Sequence, residues 1–172
     1  MRAYLLSIFL LVSPAAFAQQ ANQLPAVQQK MQALAWLTGK WQGPLILNGG
    51  DGAKHEFTQT VKFSPKLKNS VLVLDEAAFL GQDTIFHNIG VLGYDVAQSK
   101  YTFMAYTKEG TQFNVDLEVQ DKKMIWRIQI PGNIIRYTIQ LNDKGQWHQL
   151  GEGSADAGKM WKTFFESTLT RL

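Results

Sequence analysis

The adjacent carboxylates Asp75 and Glu76 are the residues of this chain whose types and positions best suit chemistry. They follow an apolar run at 71–74, and consecutive side chains of a strand point to opposite faces of a sheet. One of the two must point inward if the strand stays regular, and a buried carboxylate is costly unless paired or hydrogen-bonded. The pair predicts either a polar anchor for a ligand head group or an interstrand pair at the rim. Arg127 and Arg136 are candidate partners if their strand faces turn inward.

His87 is the third candidate, because it lies mid-strand on what we expect to be the neighbouring strand. With Asp75 and Glu76 it could supply acid–base groups for a hydrolase or isomerase, or part of a metal site. The other histidines, His55 and His148, belong to no metal-binding motif. The chain has no nucleophile-elbow motif and no cysteine, which excludes thiolate chemistry. We therefore expect no metal site, and we keep an enzyme as the alternative hypothesis.

A period-two alternation of apolar and polar residues begins after Trp41 and continues to the C-terminus. It is clearest where Phe113, Val115, Leu117 and Val119 alternate with polar residues. Connections of hairpin length separate the segments, which leaves no room for parallel crossovers. We predict ten strands, at 40–47, 56–63, 71–78, 84–94, 100–106, 111–120, 124–130, 134–141, 146–154 and 159–172.

A ten-stranded meander would leave two exposed sheet edges unless the sheet closed on itself. The predicted fold class is therefore all-β: a single antiparallel up-and-down barrel of about ten strands, occupying residues 37–172. Residues 19–36 form a polar leader and a short helix over about 25–36, indicated by the spacing of Val27, Met31 and Leu34. That helix would cap one end of the barrel or act as a mobile lid.

The first eighteen residues have the pattern of a signal peptide. Arg2 precedes an apolar run at 4–12, and Ala16-Phe17-Ala18 forms a small-x-small cleavage site. The apolar run is too short for a membrane span, which needs roughly 20 residues. We predict an exported protein, periplasmic or secreted, with no stable membrane span.

Charge and aromatic content narrow the class of partner. The net charge is +3 and the lysines are scattered, so nucleic acid is not an expected partner. Side chains fill a ten-stranded barrel less readily than an eight-stranded one, which favours a cavity. We expect that cavity to be surrounded by aromatic side chains, at Phe103, Phe113, Trp126, Tyr137, Trp147, Trp161 and Phe165.

Gly39-x-Trp41 at the first strand resembles the calycin superfamily, which includes lipocalins, fatty-acid-binding proteins and nitrobindins. The resemblance implies that Trp41 packs across a closed barrel end and that Arg171, near the end of the last strand, lies over its ring. Nitrobindin-like haem binding would need an inward histidine on a late strand. The last strand has none, and only His148, one strand earlier, could reach inward. We therefore expect no cofactor, with haem as the alternative.

The chain also resembles a family of exported bacterial proteins of unknown function over residues 34–172. The shared motifs are Trp-Leu-x-Gly-x-Trp at 36–41, Gly-Tyr-Asp at 93–95 and Phe-Glu-x-Thr-Leu at 165–169. This resemblance implies a fold and no chemistry. The leading hypothesis is a barrel that binds a small hydrophobic or amphipathic molecule without transforming it. A pocket enzyme and a solid barrel that acts through its surface are the alternatives, and the oligomeric state is left open.

Overall fold

The computed structural model describes residues 14–172, with side chains from residue 23 onward. Helix α1 spans Pro14–Gln32, and a 3-10 turn follows at Ala35–Leu37. The helix thus begins earlier and ends earlier than the predicted 25–36. Most of the predicted signal peptide lies outside the described residues, so it stays a prediction. No helix in the described part of the chain combines the length and apolar character needed to cross a bilayer.

Ten antiparallel strands form a closed barrel in which each strand pairs with its neighbours in sequence and the first pairs with the last. The predicted fold class is confirmed, and most strand ends fall within two or three residues of their predicted positions. The strands are β1 Gly39–Asn48, β2 Lys54–Lys66, β3 Val71–Leu80, β4 Asp83–Asp95, β5 Lys100–Thr107, β6 Gln112–Gln120, β7 Lys123–Ile130, β8 Asn133–Leu141, β9 Trp147–Ser154 and β10 Lys162–Arg171.

The barrel closes through the pairing of β1 with β10, where Trp41 lies opposite Arg171. The Arg171 guanidinium lies 4.3 Å from the centre of the Trp41 ring. It also donates hydrogen bonds to the carbonyls of Thr38, at 2.8 Å, and Trp36, at 2.7 Å. Gly39 has a φ of 124°, and a β-carbon there would lie 3.5 Å from the Arg171 Nη1. Glycine therefore suits both the backbone and the approach of the guanidinium.

The N-terminal segment caps this end of the barrel, which we call the closed end. Met31, Leu34 and Leu37 are buried against the core that contains Trp41. The Trp41 indole donates to the Leu37 carbonyl at 2.9 Å, and the Tyr101 hydroxyl donates to the Lys30 carbonyl at 2.8 Å. These contacts fit the predicted cap: burial of three apolar side chains stabilises it by about 1.5–3 kcal/mol each.

Replacing Arg171 by alanine should lower the free energy of unfolding by about 1–3 kcal/mol, because two charge-assisted hydrogen bonds and the stacking on Trp41 are lost. The matched control is Arg127→Ala, which breaks an exposed ion pair with Glu118 and should change stability by about 1 kcal/mol or less. Urea unfolding measures both. Equal effects of the two substitutions would contradict a closing role for Arg171.

Candidate functional site

A cavity of about 330 Å³ occupies the barrel interior and extends away from the capped, closed end towards the other end. Buried side chains at Phe63, Met124 and Trp147 form its floor. The lining is mostly apolar and comes from β1 to β10. It consists of Leu47, Phe63, Leu74, Glu76, Phe86, Asn88, Leu92, Phe103, Ala105, Thr107, Phe113, Met124, Trp126, Ile128, Tyr137, Ile139, Trp147, Gln149, Phe164 and Phe165.

Aromatic rings form one continuous wall of the cavity. Trp126 stacks on Tyr137 with ring centres 5.1 Å apart and planes inclined by 19°. Phe103 meets Trp126 edge to face at 5.6 Å, and Tyr137 meets Phe165 edge to face at 6.1 Å. Because each ring packs against its neighbours along the wall, the rings hold their positions and leave the centre of the barrel open.

Two glycines make room for this wall. A β-carbon at Gly90 would lie 2.4 Å from the ring of Phe103. One at Gly151 would lie 2.8 Å from the Phe165 β-carbon and 3.0 Å from the Tyr137 ring. Both glycines face inward, since Gly90 pairs with Ala105 and Gly151 with Tyr137. Side chains on the facing strands thus occupy the space that a larger residue would take.

Glu76 points into the cavity, where it is the acidic member of the lining. Its Oε1 accepts a hydrogen bond of 2.6 Å from the side-chain amide of Gln59, which is fully buried. Asn88 is its second hydrogen-bonding partner. Burial in this apolar interior raises the pKa of Glu76 above its usual range, and the hydrogen bonds from Asn88 and Gln59 partly oppose that rise.

Glu76, Asn88 and Thr107 form a row of polar side chains across β3, β4 and β5, because Glu76 lies opposite Asn88 and Asn88 opposite Thr107. We call this set the polar row. The Thr107 hydroxyl oxygen is buried and has no hydrogen-bond partner within the described structure. Burial, and then the charge of Glu76, raises the pKa of Tyr137 to about 12, so its phenol stays protonated at neutral pH.

The structure places six of the seven predicted aromatic residues in the cavity lining: Phe103, Phe113, Trp126, Tyr137, Trp147 and Phe165. Trp161 does not join them. It precedes β10 and packs outside the barrel, where the guanidinium of Arg136 lies 3.9 Å from its ring centre. The expectation that Trp161 surrounds the cavity was wrong because the last strand begins at Lys162 and not at 159.

Asp75 and His87 lie on the outer face of the barrel and not in the cavity. The His87 Nε2 and the Asp75 Oδ1 are 2.8 Å apart, and both side chains are about half exposed. The prediction of pocket positions for these two residues is therefore corrected: strand alternation sends them outward when it sends Glu76 inward. Asp75 and His87 consequently do not converge with Glu76 into the acid–base group of the enzyme hypothesis.

Neither arginine partners the inward carboxylate. Arg127 forms an exposed ion pair with Glu118. Arg136 makes two hydrogen bonds to one oxygen of Glu152, at 2.8 and 3.0 Å. They were candidate partners only if their strand faces turned inward, and that condition is not met because both belong to the outward set of their strands. Glu76 has amide partners instead.

A haem ligated by histidine does not fit the residues of this cavity. His55 is exposed at the start of β2, His87 pairs with Asp75 outside the barrel, and His148 lies 3.1 Å from Glu166. His148, the one candidate for an axial ligand, faces outward because Gln149 on the same strand faces inward. Within the described residues, no group of three or more histidine, aspartate and glutamate side chains is suited to hold a metal ion.

Sequence reasoning missed Asn88, Thr107 and Gln59, although strand parity places each of them on an inward face. Asn88 shares one face of β4 with Phe86 and Gly90, and that face pairs with the inward residues of β5. Gln59 lies between Phe57 and Val61 on one face of β2, but nothing in the neighbouring sequence indicates its hydrogen bond to Glu76. Phe164 was missed because it lies at a bulge of β10 that lets two consecutive phenylalanines line the cavity.

The chain is thus a ten-stranded antiparallel barrel protein with an internal cavity. No protein-family model and no curated protein sequence matches it.

Among solved structures it is similar to Rv2717c from M. tuberculosis, with a TM-score of 0.59 and 14% identity over 83% of this chain and 96% of that protein. It is also similar to Npun_R4044 from Nostoc punctiforme, a DUF3598-family protein of unknown function, with a TM-score of 0.51 and 14% identity. That match covers 80% of this chain and 48% of the other, so the chain spans about half its length. Both similarities show the fold.

Gly151→Ala should lower the free energy of unfolding by about 1–3 kcal/mol, because the new β-carbon overpacks Tyr137 and Phe165. Gly153→Ala is the matched control on the same strand and face. Its β-carbon would meet nothing closer than 3.6 Å, so that substitution should be neutral or slightly stabilising. Thermal and urea unfolding compare the two. Equal destabilisation by both would show that Gly151 does not make space for the wall.

Glu76→Gln should stabilise the protein at neutral pH, and its advantage should shrink as the pH falls. The folded pKa of Glu76 is raised, so its contribution to stability is full below the unfolded pKa and is lost as the pH rises through the folded value. A glutamine side chain at position 76 does not ionise, so the variant does not lose this stability as the pH rises. Urea unfolding of both proteins between about pH 4 and pH 8 measures the difference. Parallel stability curves would contradict a buried carboxylate at this position.

Proposed function

We propose that this protein binds a small apolar or amphipathic molecule inside the barrel and does not transform it. The observation that carries the proposal is the cavity of about 330 Å³, which is lined mainly by aromatic and aliphatic side chains. Ligand sites in proteins typically have volumes of about 300–1,000 Å³ and combine an apolar lining with a few polar groups. A solid barrel acting through its surface would have no such space.

The polar groups of the cavity support the proposal because they would orient a bound ligand. Glu76, Asn88 and Thr107 lie together in the polar row, and the rest of the surrounding surface is largely apolar. An amphipathic molecule would place its head group on the polar row and its apolar part against the aromatic wall. Burial of apolar surface then drives binding, and the polar row determines which head group is accepted.

Binding is favoured over turnover because, in the described structure, neither of the acid–base partners expected for Glu76 lies beside it. Asp75 and His87, its partners in the enzyme hypothesis, form their own pair outside the barrel. Tyr137 has a pKa of about 12 and so holds its proton near neutral pH. General acid–base catalysis works best with groups whose pKa lies near the operating pH.

We also propose that the protein is exported and that it is related to the calycins. The pattern of residues 1–18 supports secretion or a periplasmic location. The stacking of Arg171 on Trp41 beside Gly39 supports a place among the calycins, whose resemblance implies this closing contact. We propose that the protein carries or sequesters its ligand outside the cytoplasm.

Native mass spectrometry of the protein purified from its own host tests the proposal, followed by extraction and identification of the bound molecule. A retained small lipophilic compound is the expected result. Exposure of the emptied protein to octanol should also quench or shift tryptophan fluorescence, because Trp126 and Trp147 line the cavity. Absence of both signals would overturn the proposal.

Ile128→Trp should weaken octanol binding by roughly tenfold or more, because the larger side chain fills part of the cavity. Ile125→Trp is the matched control, since Ile125 lies on the same strand and faces outward, and it should leave the affinity unchanged. Isothermal titration calorimetry measures both, with circular dichroism to show that each variant is folded. Equal affinities of the two variants would place the octanol site outside the barrel.

A further inference from the structure

We infer that the cavity selects molecules with a protonated amine head group and an apolar body, and that Glu76 is the counter-ion of that amine. This inference rests on the proposed binding function and narrows it to one class of ligand. It is carried by the position of Glu76, by the absence of a cation near it and by the acceptor groups of the polar row.

Glu76 lies inside the barrel without an opposite charge. Its partners are the neutral amides of Gln59 and Asn88. No lysine, arginine or histidine occurs among the side chains that the structure shows lining the cavity. Buried carboxylates in proteins are ordinarily paired with a cation, because an unpaired charge in an apolar environment is costly. A cationic ligand would provide the charge that the lining lacks.

The polar row offers the acceptors that an ammonium group needs. A primary ammonium has three N–H donors. Side chains directly opposite on neighbouring strands have β-carbons about 4.5–5.5 Å apart, so Glu76 and Asn88 can both contact one head group. Thr107, one strand further on, has a buried hydroxyl oxygen without a partner. An ammonium on the row would be bound by the carboxylate and by neutral oxygens beside it.

The aromatic wall favours the same ligand. Cations are attracted to the faces of tryptophan and tyrosine rings within about 6 Å of the ring centre. Trp126 and Tyr137 stack on each other and line the cavity with Glu76. The phenol of Tyr137 and the carboxylate of Glu76 line the same cavity. A cation bound near Glu76 would therefore also be attracted by this wall.

The carboxylate of Glu76 and the lack of basic side chains in the described lining disfavour the binding of a fatty acid. A carboxylate head group on the polar row would place a second negative charge beside Glu76, with no basic side chain of the described lining to neutralise either. A neutral alcohol would be accepted if Glu76 took up a proton and donated it in a hydrogen bond. These two alternatives define the ligands that must be compared with the amine.

Calorimetric titration of the full-length protein near neutral pH with octylamine, octanol and octanoate tests the inference. The three probes carry similar apolar chains, and their head groups are cationic, neutral and anionic near neutral pH. We expect octylamine to bind at least about tenfold more tightly than octanol, and octanoate to bind more weakly than octanol. Equal binding of amine and alcohol, or a preference for octanoate, would overturn the inference.

Two substitutions on β3 assign the preference to Glu76. Glu76→Gln keeps the shape of the side chain and removes its charge, so the ratio of amine to alcohol affinity should fall to near one. Asp75→Asn removes the neighbouring charge on the outer face and should leave that ratio as it is in the unaltered protein. A preference for the amine that persists in Glu76→Gln, or that disappears in Asp75→Asn, would place the counter-ion elsewhere.

The titrations distinguish a failure of the amine selectivity from a failure of the proposed binding function. If none of the three probes binds and the protein from its host retains no compound, the binding function itself is refuted. If a compound is retained but none of the probes binds, only the amine selectivity is refuted. If octanol binds and octylamine shows no advantage, the binding function stands and the amine selectivity is refuted. Should Glu76→Gln fail to fold, the three titrations of the unaltered protein still decide between these outcomes.

Discussion

The pairing of β1 with β10 is the contact on which the rest of the structure depends, because it closes a meander of ten strands into a ring. A ring has no free edge, and its number of strands determines how much space lies inside. The stacking of Arg171 on Trp41 holds the pairing at the closed end. With that end capped by the N-terminal segment, the interior that the side chains leave unfilled extends towards the other end of the barrel.

The ring and its inward aromatic residues were predictable from sequence, because alternation on β5 to β8 assigns each side chain to one face. Phe113 and Tyr137 illustrate this: each alternates with polar neighbours and lies in the lining. The choice between Asp75 and Glu76 was not predictable, since the residues at 71–74 are apolar on both faces of β3. The registers with β2 and β4, which place Glu76 opposite Val61 and Asn88, determine which carboxylate lies inside.

The outcomes at Arg136 and Trp161 have different causes: Arg136 lies on the outward face of a regular strand, whereas Trp161 precedes the start of β10. Residue type suggested an inward charge partner and an inward ring, but the two side chains pack on each other outside the barrel. Because β10 is irregular near its start, the alternation of inward and outward side chains cannot be followed from the sequence through this region. A bulge shifts the register between Thr163 and Phe165, so alternation breaks where the loop joins the strand. Sequence patterns locate regular strands well and fail at such interruptions.

The buried carboxylate of Glu76 lowers the stability of the fold, and we attribute its presence to the proposed ligand binding. An apolar residue at position 76 would avoid the desolvation of a charge and would match Leu74 on the same face. The chain instead places a carboxylate there and surrounds it with the amides of Gln59 and Asn88, which hydrogen-bond to it without neutralising it. The proposed cationic ligand would account for this arrangement, since its charge would pair with the carboxylate that the two amides leave unneutralised.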